Sequence, residues 1–302
     1  QYTFYKDTSL VSINTENVEI IGEGAFFGCT RLKNIDLSKA KEIQEDAFYG
    51  CSGLTEVNLP EAKVLGDAAF LGATGVVSLS MPKIQSIGEQ ALSMIGVGTI
   101  AIPNTLTYVA PTAFYDNENM TSFVYVNQGT IVDTYKINDY VSIFNGVLYT
   151  TSKNGKQVLS AYPSGKMDNS FEVAAETVRI EIYAAAKNPY LKTLILPDTL
   201  KLIGNMAFYD CNALSTVEFR STVAPTLEGV PTGSQSDYTY EEGSPIYNLF
   251  NKYFQFNGYY PLYYGQFKAM VGTIDPINVI LPSNSDLEGY DNTIYKLSLI
   301  HI

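Results

Sequence analysis

Ile43-Gln-Glu-Asp-Ala47-Phe48-Tyr-Gly50-Cys51-Ser-Gly-Leu54-Thr-Glu-Val57-Asn-Leu59-Pro60 is followed 22 residues on by Leu65-Gly-Asp-Ala-Ala69-Phe70-Leu-Gly72-Ala73-Thr-Gly-Val76-Val-Ser-Leu79-Ser-Met81-Pro82. The two stretches share a template: an aliphatic residue, Ala-Phe four and five places later, then three apolar positions spaced Leu-x-x-Val-x-Leu. Phe26, Phe48, Phe70, Leu92 and Phe114 all keep the 22-residue spacing. A fixed short period marks a solenoid, in which a unit buries its apolar side only against its neighbours.

The template also sets the local expectations. The last three apolar positions alternate, which reads as a short strand with one face inward. The Ala-Phe portion reads as one helical turn with both side chains inward. Gly28, Gly50 and Gly72 follow two residues after each Phe, where a tight exit suits a residue without Cβ. Pro60, Pro82, Pro103 and Pro197 close strands, where Pro breaks no ladder bond. Strands of successive coils are expected to stack in parallel at about 4.8 Å.

Further units carry defects. Ile87-Gly-Glu-Gln-Ala91-Leu92 leads to Val97-x-x-Ile100-x-Ile102, one residue short, and a longer connection from Pro103 to Val109 restores the frame at Phe114. Val109 through Tyr125, Ile180 through Leu196 and Ile203 through Phe219 repeat the pattern, and Leu10-x-x-Ile13 is the strand half of an opening coil. Residues 127–177 depart from it. There, Val141 to Tyr149 and Lys156 to Tyr162 flank Asn154-Gly155, a hairpin signal, so a hairpin unit is expected in place of one coil.

The repeated unit resembles the BspA-type leucine-rich repeat of bacterial surface proteins. Phe144-Asn-Gly-Val-Leu-Tyr149 through Ala161-Tyr-Pro-Ser-Gly165 is similar to a segment intercalated in that family. Val223-Ala-Pro-Thr-Leu227 and Val279-Ile-Leu-Pro282 with Tyr290 resemble its terminal unit. The resemblance implies an extracellular or cell-surface protein, devoted to adhesion or protein binding, with no shared catalytic residues. The chain starts at Gln1, so any signal or anchor segment is expected to be absent from it. One departure stands out: about fifty residues separate Leu227 from Val279, and residues 232–268 within them are rich in Tyr and Phe.

Composition narrows the partners. The formal charge is -12 and no basic stripe offsets it, so nucleic acid is not expected. No apolar run approaches the length of a membrane span. The chain has 23 Tyr and no Trp. Tyr joins an apolar body to a polar tip and suits wet recognition surfaces, although it also plugs coil ends. Tyr259, Tyr260, Tyr263 and Tyr264 lie within six residues without a charge among them. They are candidates either for a recognition surface or for the cap of the last coil.

Catalytic motifs are missing. There is no nucleophile elbow, Cys-x-x-Cys pair, phosphate loop or His-Glu-x-x-His helix, and the single histidine is His301. Asp286, Glu288 and Asp291 lack the spacing of a calcium loop. No cofactor and no metal are expected. Cys29, Cys51 and Cys211 each sit three places after the Phe position. A shared place suggests small inward-facing thiols, while the close approach of adjacent coils leaves a Cys29–Cys51 bridge geometrically conceivable. Residues between the apolar strand positions point outward: Asn34, Asp36, Glu56, Asn58, Ser78, Ser80, Ser122, Thr193, Thr216 and Glu218. They form either a groove for an extended ligand or a plain solvated sheet face.

The sequence therefore predicts an α/β, right-handed leucine-rich-repeat solenoid over residues 1–224, with short parallel strands and an intercalated β-hairpin unit at about 127–177. Residues 225–302 are expected to form a terminal repeat and aromatic-rich cap. The expected role is non-enzymatic: binding of a host or matrix protein, or alternatively of a glycan through the Tyr-rich insert.

Overall fold

The structure is a computed structural model that describes residues 1–223, 225–227 and 278–280. Tyr259, Tyr260, Tyr263, Tyr264, Asp286, Glu288, Asp291 and His301, and the expected aromatic cap, lie outside these residues.

Each coil carries two short strands joined by a turn segment. Strands Ile20–Ile21, Glu42–Ile43, Val64–Leu65, Ser86–Ile87 and Tyr108–Val109 form one parallel five-stranded sheet. In register, Ile21, Ile43, Leu65, Ile87 and Val109 make a single column. The second strand of each coil pairs likewise: Ser12–Ile13 with Asn34–Ile35, Glu56–Asn58 with Ser78–Ser80, and Thr99–Ala101 with the start of Ser122–Asn127. The expected stacking of parallel strands is thus observed.

The turn segment corrects the helical expectation. Among the described residues there is no helix, so the architecture is a β-solenoid rather than α/β. In most coils the residues two before and two after the Phe position are left-handed: Asp46 (φ +56°) and Gly50 (+66°) around Phe48, Ala68 (+53°) and Gly72 (+73°) around Phe70. Two left-handed residues four apart interrupt any right-handed helix. The hydrogen bonds show what replaces it. The N–H groups of Asp46, Phe48 and Gly50 donate to the carbonyls of Asp67, Ala69 and Leu71 in the next coil, at 3.0, 2.7 and 2.8 Å. The N–H groups between them, of Ala47 and Tyr49, close turns onto Gln44 and Asp46. Alternate amides therefore run along the solenoid axis and join coil to coil.

The left-handed place after Phe is held by Gly in three coils but by Met94, Asp116, Lys187 and Asp210 elsewhere. At Met94 and Lys187 the N–H still donates to the next coil, to the carbonyls of Tyr115 and Tyr209, so axial bonding goes with the conformation even where a Cβ makes it costly.

Ala47 and Phe48 are fully buried, as expected of inward side chains. The Phe rings stack: Phe26 on Phe48 at 5.2 Å and Phe48 on Phe70 at 5.0 Å, with planes within 9° of parallel. The ladder starts one coil earlier than the sequence reading placed it. Phe4 stacks on Phe26 at 5.3 Å, and Tyr2 and Lys6 take the two left-handed places. The opening coil thus has its turn segment as well as its strand.

The ring stack ends at Phe70, since Leu92 takes the next place, and the hairpin unit then interrupts the regular coils. Strand Ser122–Asn127 turns back at Gln128-Gly129 into Thr130–Val132. The chain then meanders through Tyr135–Lys136, Val141–Phe144, Val147–Thr151 and Gln157–Ala161, all antiparallel. The run from Val141 to Tyr149 is not one strand: Asn145 (φ +50°) and Gly146 (+72°) form a two-residue turn of the kind that matches strand twist. The last strand returns to the solenoid. Leu159 pairs in parallel with Ile180, and the Tyr162 N–H donates to the Ala184 carbonyl at 2.6 Å, taking the place of a ladder Phe. Tyr162 is buried accordingly. The unit replaces one coil while supplying its strand and its aromatic plug.

Strand Val147–Thr151 also divides the core. Leu148 faces the core of the preceding coils, whereas Val147 and Tyr149 face that of the following ones, together with Leu159, Leu194 and Phe208. The alternation of a strand makes this partition possible. After the unit, strands Ser170–Glu172, Thr193–Leu196, Thr216–Phe219 and Asn278–Ile280 form a parallel sheet, with Val217 opposite Val279.

Phe48 is covered on both sides by ladder neighbours, so Phe48→Ala is expected to cost about 3–5 kcal/mol through the lost ring and the cavity left behind. A urea unfolding curve measures this. A midpoint equal to that of the parent would contradict the ladder.

Candidate functional site

The outward strand positions were expected to form one ladder. The structure places them in two sectors. Asn34, Asp36, Glu56, Asn58, Ser78 and Ser80 are exposed, with Glu56 opposite Ser78 and Asn58 opposite Ser80. Thr193, Thr216 and Glu218 lie beyond the hairpin unit and are half-buried. The break falls at Ser122. Its neighbour Phe123 donates its N–H to Gly146 of the hairpin rather than to a following coil. Ser122 itself is half-buried beneath Gly146, where a Cβ would collide with its Oγ. A single continuous groove over all ten residues is therefore not formed.

The two sectors differ in charge. Asp36 is fixed by the Ser38 N–H at 2.8 Å, and the Ser38 hydroxyl and N–H hold its carboxyl below the usual range. Glu218 is paired with Arg220 at 2.7 Å. The first sector thus presents open polar and acidic groups, and the second carries a neutralised carboxylate.

An apolar patch stands in the coils that follow the first sector, at residues the sequence pattern does not single out as a site. Ser122, Val124 and Val126 share the outward face of one strand, and the alternation runs past the usual strand end. Val124 lies opposite Ala101, and Val126 opposite Ile131. Val126 is 49% and Ile131 69% exposed, so two aliphatic side chains meet in solvent. Beneath them Tyr125 stacks on Tyr135 at 4.8 Å and fixes the extension. The signal was legible: Val124-x-Val126 continues the period of two beyond Phe123. The template simply ended there.

The cysteine positions also resolve. Cys29, Cys51 and Cys211 are free and buried, so the Cys29–Cys51 bridge does not form. Their thiols donate to the carbonyls of Phe4, Phe26 and Ala185 in the preceding coil, each at 3.0 Å. Asn117 holds the same place and donates its Nδ2 to the Leu92 carbonyl at 2.8 Å. The column is thus a hydrogen-bonding column as well as a packing one, which accounts for Cys and Asn sharing it. Among the described residues no group of three or more His, Cys, Asp or Glu is placed to hold a metal.

Other tyrosines serve the solenoid. Tyr5, Phe27 and Tyr49 form a second, outer ladder at 4.9 and 4.5 Å. Tyr115 packs edge-on against Tyr183, beside a 2.7 Å bridge from Lys187 to Asp116 that spans the hairpin unit.

Comparison with known proteins agrees with the architecture. The family model described as the BspA type leucine rich repeat region matches six copies over residues 1–136 and 166–229. A leucine-rich cell surface protein of Faecalibacterium prausnitzii is similar in structure, with 29% identity and a TM-score of 0.64. The similarity covers 74% of this chain and 58% of that one. The pneumococcal vaccine antigen PcpA is similar at 25% identity and a TM-score of 0.56, over 68% of this chain and 52% of the antigen. The chain spans little more than half the length of either structure. No curated protein matches it.

Burial pushes the Cys51 and Cys211 thiols up to about 12. Folded values above the ordinary 9 mean that these thiols contribute stability below pH 9 and lose it as the pH climbs towards 12. Maleimide labelling followed by intact mass is expected to show no rapid addition in the native state at pH 8 and three additions in denaturant. Rapid native labelling, or a mass two units low, would contradict buried free thiols.

Proposed function

The chain belongs to the BspA-type leucine-rich-repeat family, and from that premise we propose that it is a non-enzymatic bacterial surface protein that binds a protein partner on the first sector of its strand face. The matched family is a repeat family and no catalytic family is indicated. One of the similar structures is itself a cell surface protein, which supports an extracellular or surface location here.

The observation that carries the reading is the exposed Val126–Ile131 pair beside the polar positions. Small polar groups alone make a poor interface, because a few large desolvated anchors dominate binding energy. Here an apolar group of Ala101, Val124, Val126 and Ile131 stands in the coils that follow the polar positions Asn58, Ser78 and Ser80. Apolar centre with polar rim is the anatomy of a protein interface. Six coils at about 4.8 Å give a face roughly 24 Å long, enough for a standard contact.

The glycan reading through Tyr259, Tyr260, Tyr263 and Tyr264 rests on residues outside those described. The outer ladder does not support it either. Phe27 has both faces covered by Tyr5 and Tyr49, each of which gives up one face to it, and sugar stacking needs an open ring face.

The test is a binding screen of the whole chain against purified matrix proteins, with a Val126→Asp/Ile131→Asp variant alongside. At least one matrix protein is expected to bind, and the variant to bind it about 100-fold more weakly with an unchanged melting temperature. Absence of any matrix partner, or equal binding by the variant, would overturn the reading.

A further inference from the structure

A depression of about 310 Å³ opens on the hairpin unit, away from the strand face. Its position follows from strand alternation. Ser142 lies opposite Lys136 on one side and Tyr149 on the other, and Thr151 lies opposite Gln157. These side chains share the sheet face that carries Tyr149 into the second core. Tyr149 is fully buried, and its hydroxyl accepts from the Ala174 N–H at 3.2 Å, at the start of the next coil. Beyond Tyr149 the same face runs past the core, and Lys136, Ser142, Thr151 and Gln157 line the depression with Lys156 and Glu176.

The wall is fixed and the lining is free. Asn138 spends its Nδ2 on the carbonyls of Asn104 and Leu106 and its Oδ1 on the N–H groups of Tyr140 and Val141. By contrast the side chains of Ser142, Thr151 and Gln157 make no hydrogen bond among the described residues. Lys156 makes no ion pair among them. Lys136 meets Asp139 at 3.2 Å with both side chains largely in solvent, a pairing that costs little to give up. Gly155 stands at the mouth with open space beside it.

The chemistry is specific in kind. Two lysines and a single carboxylate, Glu176, line this depression in a chain of net charge -12, so the lining is more positive than the molecule as a whole and favours an anion. Three uncommitted neutral donors and acceptors call for hydroxyl groups on the same ligand. Glu176 accepts hydroxyls but repels a second negative charge. The volume lies at the small end of ligand sites. We propose that this depression binds a sugar acid, a single ring with several hydroxyls and one carboxylate, with Lys136 and Lys156 on the carboxylate and Ser142, Thr151, Gln157 and Glu176 on the hydroxyls.

The site is independent of the strand face and is tested separately from it. Sodium glucuronate is titrated into the whole chain and followed by NMR, with glucose and inorganic phosphate as parallel arms. Saturable binding at ~1 mM is expected for glucuronate, the range of a small rigid ligand, and at least tenfold weaker binding for glucose and phosphate. Lys136→Ala/Lys156→Ala and Ser142→Ala/Thr151→Val are each expected to weaken glucuronate at least tenfold at unchanged melting temperature. Val126→Asp/Ile131→Asp is expected to leave it unaltered. No saturable shift with glucuronate, equal binding of phosphate or glucose, or full binding by the lysine variant would each overturn the proposal.

Discussion

Everything in this molecule depends on the axial hydrogen bonds of the turn segment. In each regular coil the amide at the Phe position donates to the Ala carbonyl of the next coil, as Phe48 does to Ala69 and Phe70 to Ala91. Those bonds fix the spacing at which one Phe ring meets the next near 5 Å. They also hold the flanking residues left-handed, which aims the Phe inward and the residue after it outward. A coil by itself has neither partner for its amides nor cover for its ring, so cohesion passes from neighbour to neighbour along the chain.

The hairpin unit shows how much of that scheme must be kept when a coil is lost. It keeps a strand in the pre-turn sheet through Leu159, a plug at the Phe position through Tyr162, and the axial bond from Tyr162 to Ala184. Its strand-face strand, Ser170–Glu172, pairs with Thr193–Leu196 of the following coil and not with Ser122–Asn127, which turns away into the hairpin. Both proposed surfaces follow from this exchange. The departing strand carries Val126 and Ile131 into solvent, and the returning meander leaves Thr151 and Gln157 on a face that outruns the core. The regular coils hold the frame, and the irregular unit presents most of the surface chemistry.

Legibility in the sequence follows the same division. The 22-residue period, the paired inward positions and the strand-closing prolines were readable, since burial against neighbours imposes the same residue types on every copy. The helical turn was misread. Ala-Phe flanked by polar residues suits a helix locally, and only the axial bonds to other coils, which lie 22 residues away, turn it into alternating left-handed turns. Phe4 was missed because Tyr2-Thr3 precedes it instead of the usual Ala. The Asn145-Gly146 turn was overlooked because the apolar residues around it read as one run. The strand-face residues were identified individually, but their division at Ser122 is a tertiary effect of Gly146 packing on top.

Native-state amide hydrogen exchange tests the central claim most directly. If the axial bonds carry the fold, the amides of Phe26, Phe48 and Phe70 exchange only through large-scale unfolding, as slowly as those of Ile43 and Leu65 in the adjoining sheet. Their protection then falls with denaturant in step with the global transition. Exchange of these amides at rates near those of an unstructured chain, independent of denaturant, would contradict the account and leave the Phe ladder without its backbone support.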